Sequence, residues 1–135
     1  MPQAVTVSDL IGVPFVDGGR DPRRGLDCYG LVLEVMRRFG YALPEWGISC
    51  FDSAAIAPAA RQTLAELFVP ASGPGPGRIV VFSLDPERPA DIQHFGVCLS
   101  RNKFIQTLHK TGCIRTDLSH RYWGQLAKGY YAWSE

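Results

Sequence analysis

The stretch DCYGLVLEVMRRF, residues 27–39, decides the fold of this chain. Its apolar residues recur at spacings of three and four, which predicts an amphipathic helix with one face turned towards a core. Asp27 is a favourable N-cap and Gly40 ends the pattern, so we expect the helix to cover the whole stretch. Cys28 therefore falls in the first turn of the predicted helix.

A cysteine in the first helical turn has a chemical consequence. The exposed backbone N–H groups and the positive end of the helix dipole favour the thiolate, which is the nucleophilic form, over the thiol. A loop precedes Cys28, so a substrate can approach its sulfur. Two interpretations are open at this point: Cys28 is a catalytic nucleophile, or it is a core residue of a helix that packs on a sheet.

The other segments of the first half are less regular. A second helix is predicted from about Pro58, a favoured first helical position, to Phe68. The remaining segments are a short helix or turn at 6–13, a Gly- and Arg-rich loop at 17–26, an irregular stretch at 41–57 and a Pro- and Gly-rich loop at 69–77.

The second half of the chain alternates with a period of two, which is typical of strands. Strands are predicted at 78–83, at 94–100 and 103–108 as a hairpin turning at 101–102, at 112–117 and at 129–134, with a helical turn at 119–126. Helices followed by an antiparallel meander indicate the α+β class, with the helices packed on one side of the sheet. Residues 1–135 are expected to form a single domain.

The composition limits the classes of partner. The formal net charge of +1 gives no field for nucleic acid or anionic lipid, so neither is expected as a partner. No apolar run approaches the ~20 residues of a membrane helix, so no membrane association is expected. The chain begins without a secretory pattern, which predicts synthesis in the cytoplasm. The four cysteines, Cys28, Cys50, Cys98 and Cys113, are therefore expected to be free thiols.

His94 opens a predicted strand after a polar loop and is the candidate base for Cys28. A third group should accept a hydrogen bond from the other imidazole nitrogen and orient the ring. Two residues compete for that role: Gln106, inside the next strand, and His109, at its end. If the hairpin turns at 101–102, paired residue numbers sum to about 203, which sets His109 opposite His94 and favours it unless a bulge alters the register.

A spacing of H-x-x-x-C occurs twice, at His94/Cys98 and at His109/Cys113, and raises the possibility of a zinc site. Residues four apart on a strand are separated by roughly 13 Å. Zinc ligands all lie about 2.0–2.3 Å from the metal. Strand geometry therefore argues against a metal site, and Cys98 and Cys113 are predicted to be strand core. No metal and no cofactor are expected.

Several blocks of the sequence, in the same order, resemble one family. DCYGLVLEVMRRFG (27–40) resembles the DCSGL-type nucleophile helix of the NlpC/p60 family of papain-like cysteine peptidases. HFGVCLSRNKFIQT (94–107) resembles the second family block, in which a histidine opens an HVGIYLG-type strand and a turn leads to a FIHA-type strand. GRIVVF (77–82) resembles the GDLVLF strand, and IGVPFVDGG (11–19) resembles the IGTPYxxGG segment. The resemblance runs from about residue 10 to the C-terminus.

The resemblance implies a papain-like α+β fold and the hydrolysis of amide bonds in bacterial cell-wall peptides. The usual target is the link between D-γ-glutamyl and a diamino acid, so peptidoglycan stem peptides are the implied substrate. The compact form with a long loop after the nucleophile helix is also similar to the phage-tail and prophage branch. That similarity implies phage tail-tip proteins as partners and assembly into a virion.

The resemblance carries over residue by residue. Cys28 matches the nucleophile, His94 matches the base, and Gln106 stands at the third position, where a histidine is usual. Glutamine can orient an imidazole through its carbonyl but contributes no charge.

Three further positions are candidate substrate-binding residues. Asp27 is retained and is implied to bind the amine end of the substrate, whereas Tyr29 replaces a small serine and Phe15 replaces a tyrosine. These departures leave two alternatives open. The chain is a structural piece of a phage tail tip with little activity, or it is an amidase, acyltransferase or thioesterase that uses the same scaffold.

Overall fold

The computed structural model describes residues 5–135. Their N-terminal half contains a short 3-10 helix at Ser8–Leu10, a small hairpin of β1 (Arg20–Asp21) and β2 (Gly25–Leu26), and the helices α1 (Cys28–Arg38) and α2 (Ser53–Leu67). The helix predicted at 27–39 is confirmed, with Cys28 as its first residue. None of the helices in the described residues is both long and apolar enough to cross a membrane.

The C-terminal half forms a six-stranded antiparallel sheet. Its strands are β3 (Phe68–Ala71), β4 (Ile79–Phe82), β5 (His94–Cys98), β6 (Lys103–Leu108), β7 (Gly112–Asp117) and β8 (Ala127–Trp133), and α3 (Arg121–Leu126) precedes the last of them. The spatial order is β3-β8-β4-β5-β6-β7, so the final strand lies between the first two. The predicted α+β class with an antiparallel sheet is confirmed.

The start, the end and the buried face of α1 all follow from its sequence. Asp27 accepts a hydrogen bond from the N–H of Gly30 at 2.7 Å, and Gly40 ends the helix with φ of +98°. Full burial of an aliphatic side chain contributes roughly 1.5–3 kcal/mol. The face that packs against the sheet is almost fully buried and consists of Leu31, Val32, Val35 and Met36.

The sheet separates two apolar clusters, because successive strand residues point to opposite faces. One face, which carries α1 and α2, contributes Ile79, Val81, Phe95, Val97 and Ile105. The other face contributes Val80, Phe82, Cys98 and Phe104, which pack with Trp123 and Leu126 of α3. The helices therefore do not all lie on one side of the sheet, as the sequence predicted, since α3 covers the second face.

The second helix begins earlier than predicted. It starts at Ser53, after the N-cap Asp52, so Pro58 lies inside the helix and not at its first position. A proline inside a helix removes one backbone hydrogen bond. Burial of Ile56 and Ala60 in the main core holds the helix together across this position.

Two segments predicted as loops contain strands. The loop predicted at 17–26 includes the hairpin of β1 and β2, and the loop predicted at 69–77 overlaps β3. Because β3 is an edge strand that pairs only with β8, it tolerates Pro70, which has no N–H to offer. Pro70 pairs with Tyr131, far along the chain, and such a pairing leaves no local signal in the sequence.

Candidate active site

Cys28 lies at the start of α1 with only 4% of its surface exposed. Burial raises the pKa of its thiol to about 12, and the neighbouring Asp27 carboxylate adds to the increase. Backbone N–H groups of the first helical turn and the Arg20 guanidinium oppose the shift but do not offset it. The preference for thiolate that the sequence predicts at a helix start is therefore present but outweighed by burial, and the resting group is a neutral thiol.

Asp27 is fully buried, and both of its carboxylate oxygens are occupied by the chain itself. Oδ1 accepts from the N–H of Gly30 at 2.7 Å and from Nη1 of Arg20 at 2.7 Å, while Oδ2 accepts from the N–H of Gly18 at 2.8 Å. The carboxylate thus caps α1 and ties the preceding loop to it. A role of Asp27 in binding the substrate's amine end stays a prediction, and it requires one of these contacts to be exchanged.

Gly30 is required by the close approach of the loop to α1. A Cβ at this position would lie 2.1 Å from the carbonyl oxygen of Gly19 and 3.0 Å from Nη1 of Arg20. The absence of a side chain therefore lets the loop and its arginine reach Asp27. The family-like stretch that begins at Asp27 includes Gly30, but the sequence alone offered no sign of its contact with Arg20.

His94 is the first residue of β5 and is 5% exposed. Its Nε2 lies 2.8 Å from Oε1 of Gln106, and its ring lies 5.5 Å from that of Phe82 and 5.7 Å from that of Trp123, measured between centroids. Gln106 in turn donates from Nε2 to Oγ1 of Thr116 at 2.9 Å. Burial lowers the pKa of His94 to about 4, although the Gln106 contact opposes the shift. The resting imidazole is therefore neutral.

The buried imidazole predicts a loss of stability in weak acid. Between pH 6.5 and about 4 the unfolded chain binds a proton at His94 that the folded protein does not, so the free energy of unfolding falls as the pH falls. We expect a decrease of roughly 2–3 kcal/mol between pH 7 and pH 4.5, measured by urea unfolding. In the His94→Phe variant this decrease should be largely absent, and an equally steep decrease in that variant would contradict the assignment.

Gln106, and not His109, lies against His94. The pairs Val97↔Ile105 and Cys98↔Phe104 sum to 202, one less than the sequence predicted, because the N–H groups of residues 99 and 100 both bond to the carbonyl of residue 103 and the turn takes in residues 100–102. Continued along the strands, this register sets residue 108 opposite His94 and Gln106 diagonal to it, on the same face. His109 lies beyond β6, and the expectation that simple register favours it is wrong.

The starts of α1 and β5 lie side by side. Tyr29 follows Cys28 and Phe95 follows His94, and the centroids of these two rings are 6.2 Å apart. The first turn of the helix and the first residues of the strand therefore meet at one place on the molecule. The two elements thus meet, but the His94 ring itself lies against Phe82 and Trp123 of the second apolar cluster, so this contact joins the elements and not the side chains of Cys28 and His94.

The segment 44–51 packs against the start of α1. The Tyr29 hydroxyl donates to the carbonyl of Pro44 at 2.5 Å, and the Tyr29 ring stacks on Trp46 with centroids 3.6 Å apart. Arg20 donates two hydrogen bonds of 2.7 Å to the carboxylate of Glu45. Tyr29, a predicted substrate-binding residue, is buried and holds this segment against the start of α1.

The far end of segment 44–51 is attached to the loop before α1. Asp17 accepts from the hydroxyl of Ser49 at 2.7 Å and from the N–H of Cys50 at 2.9 Å. Phe51 lies 5.9 Å from Phe15 between ring centroids. The side chain of Phe15 is half-buried between the rings of Phe51 and His109, the latter 5.5 Å away. Phe15 is thus the one of the three predicted substrate-binding residues that is partly open to solvent.

One group of candidate metal ligands occurs among the described residues, at Asp17, Asp27 and Cys50, with ligand atoms within 4.8 Å of one another. Asp27 has its oxygens occupied by N–H groups and by Arg20, and burial raises the pKa of the Cys50 thiol. The arginine already supplies the positive charge that a cation would bring. Cys98 and Cys113, from the H-x-x-x-C spacing, are buried in clusters on opposite faces of the sheet.

Comparisons with known proteins agree with this architecture. Residues 12–131 match the NlpC/P60 family. The chain is 30% identical over 130 residues to a gamma-DL-glutamyl hydrolase of Bacillus subtilis (strain 168), covering 96% of this chain and 28% of the relative. It is 31% identical over 115 residues to the murein DD-endopeptidase MepH of Escherichia coli (strain K12), covering 84% of this chain and 38% of the relative.

A solved structure has the same fold. A protein described as similar to lipoprotein, of the NLP/P60 family, from Staphylococcus aureus subsp. aureus Mu50 superposes with a TM-score of 0.62 at 23% identity, covering 90% of this chain and 37% of that one. The chain thus spans well under half the length of the proteins it matches. Because the family match extends over most of the sequence, the chain belongs to the NlpC/P60 family.

Proposed function

We propose that this chain is a cysteine peptidase that hydrolyses amide bonds in peptidoglycan stem peptides, at the link between D-γ-glutamyl and a diamino acid. Two relatives support the substrate class, since one is named a gamma-DL-glutamyl hydrolase and the other a murein DD-endopeptidase. The observation that carries the mechanism is the 2.8 Å contact of His94 with Gln106, because it fixes an imidazole at the start of β5. The next residue of that strand, Phe95, lies against Tyr29 in the first turn of the helix that begins at Cys28.

In the proposed reaction the Cys28 thiol loses its proton to Nδ1 of His94 as the sulfur attacks the peptide carbonyl. The N–H groups at the start of α1 stabilise the oxyanion. His94 then protonates the leaving amine, the C–N bond breaks, and the acyl group remains on Cys28 as a thioester. Water gives a proton to His94 and hydrolyses the thioester, which restores the thiol. Because thiol and imidazole are both neutral at rest, the proton moves after the substrate has bound.

A second candidate is a domain that keeps the fold but has little hydrolytic activity. The observation that favours it is the burial of Cys28 together with the raised pKa of its thiol, which keeps the thiolate population very small at neutral pH. Assembly into a phage tail, which the sequence resemblance implies, is compatible with this candidate and with the first. Mass spectrometry of purified particles that carry the protein would test it.

Digestion of defined muropeptides separates these functions. We expect wild-type protein to convert a disaccharide tripeptide into disaccharide-dipeptide and free diamino acid, identified by mass. Cleavage of a cross-linked dimer into monomers would assign a different wall bond, and release of the whole peptide from the sugar would make the chain an amidase. No product from any of these muropeptides, with the protein shown to be folded, would favour the second candidate.

A further inference from the structure

Three neighbouring strands supply a buried chain of polar side chains behind the candidate base. His94 lies on β5, Gln106 on β6 and Thr116 on β7, and the two hydrogen bonds that join them measure 2.8 and 2.9 Å. Gln106 is completely buried, so its amide has no access to solvent. Its hydrogen bonds must therefore be made with buried protein groups, such as the side chains of His94 and Thr116.

The direction of the Gln106 amide determines which nitrogen of His94 carries the proton. With Oε1 towards the ring, Nε2 of His94 must be the donor, and Nδ1 is left as the basic nitrogen. With the amide reversed, its NH₂ group would donate to Nε2, and the proton of the neutral ring would move to Nδ1. Only the first arrangement leaves a base free to take a proton from a thiol, and only it accommodates an imidazolium.

Thr116 supports the observed arrangement, because its hydroxyl accepts from the NH₂ group of Gln106. Without that acceptor, the observed direction would leave both N–H groups of the buried amide unpaired. The reversed direction would pair one of them with Nε2 of His94 and leave the other N–H group and the carbonyl oxygen unpaired. Unpaired buried N–H groups are the rarer and less tolerated of the two. Removal of the hydroxyl should therefore turn the amide around.

We propose that Thr116 is a positioning residue that holds the Gln106 amide with its carbonyl towards His94 and so fixes the Nε2–H tautomer. The inference rests on the proposed function for its effect on cleavage, but the tautomer itself is independent of any substrate. Thr116 acts through Gln106 and does not touch the reacting atoms.

The test is the tautomer of His94, measured by ¹⁵N NMR of labelled protein at pH 7.5. Wild-type protein should show the Nε2–H form, and the isosteric variant Thr116→Val should shift the population towards Nδ1–H. Thr116→Ser, which keeps the hydroxyl, should restore the wild-type spectrum. Retention of the Nε2–H form in Thr116→Val would overturn the proposal. Should the valine variant fail to fold, Thr116→Cys removes the strong acceptor at similar size and is read in the same way.

Cleavage of the muropeptide supplies a second readout. In Thr116→Val we expect kcat to fall about tenfold with KM little changed, because the substrate is bound normally but the base is in the wrong tautomer. Thr107→Val is the matched control, since Thr107 is also a buried threonine of the sheet, adjacent in sequence to Gln106, and its side chain points to the opposite face of β6. An unchanged kcat in Thr116→Val would count against the proposal. A tautomer shift in Thr116→Val, together with no cleavage by the wild-type protein, would refute the proposed function and leave the role of Thr116 intact.

Discussion

Replacement of Cys28 with alanine is expected to reduce cleavage of purified muropeptides by roughly 10³-fold or more, to the level of the uncatalysed reaction. The sulfur is the atom that forms the thioester, and no other described thiol lies at the start of α1. The measurement is the rate of product formation by mass spectrometry. Thermal unfolding of the variant should remain cooperative, because the removed group is a single sulfur atom at the edge of the core.

The matched control for this prediction is Cys50→Ala. Cys50 is a half-buried thiol in segment 44–51, and its backbone N–H bonds to Asp17. Its variant should keep cleavage within about twofold of wild type, since the hydrogen bond of the backbone survives the change. If cleavage persisted in Cys28→Ala and disappeared in Cys50→Ala, the nucleophile would be Cys50 and not Cys28.

The helix that carries Cys28 could be predicted because its signals are local. The apolar spacing, the N-cap Asp27 and the terminal Gly40 all lie within fifteen residues, and each agrees with the others. The strand that begins at His94 was predicted for the same reason. The direction of the pKa shift of the Cys28 thiol could not be predicted from its place at the helix start, because the burial that raises this pKa depends on segments distant in sequence.

The register of the hairpin shows how a small local error changes a functional interpretation. Moving from a two-residue to a three-residue turn shifts every pair by one position and reverses which face a given partner occupies. The sequence therefore favoured His109, whereas the family resemblance favoured Gln106. The structure agrees with the second, and it adds Thr116 and Trp123, which no local pattern connects with His94.

Segment 44–51 explains two departures from the family pattern in physical terms. A serine at position 29 would offer neither the ring that stacks on Trp46 nor a hydroxyl that reaches Pro44. A tyrosine at position 15 would add a hydroxyl to a ring that already lies among Phe51 and His109. Both residues thus serve contacts between long loops, and such contacts have no periodicity from which they can be predicted.

Replacement of Asp27 with alanine is expected to be the most destabilising change near the site, with a loss of about 3 kcal/mol in the free energy of unfolding measured in urea. The carboxylate is buried, and its removal leaves the N–H groups of Gly18 and Gly30 without their acceptor. Arg20 would keep Glu45 but lose its buried partner. The N-cap contribution to α1 would be lost as well.

A second aspartate offers a matched comparison, because Asp9 also pairs with an arginine, at 2.7 and 2.8 Å, but on the surface. Exposed ion pairs contribute about 0–1 kcal/mol, so Asp9→Ala should cost far less than Asp27→Ala. The difference between the two losses in free energy of unfolding measures what burial and helix capping contribute beyond the ion pair. If the two variants lost equal stability, Asp27 would be an ordinary ion-pair partner. The presence of an aspartate at this position of the family pattern, next to Cys28, would then have to be explained by substrate binding and not by the stability of the site.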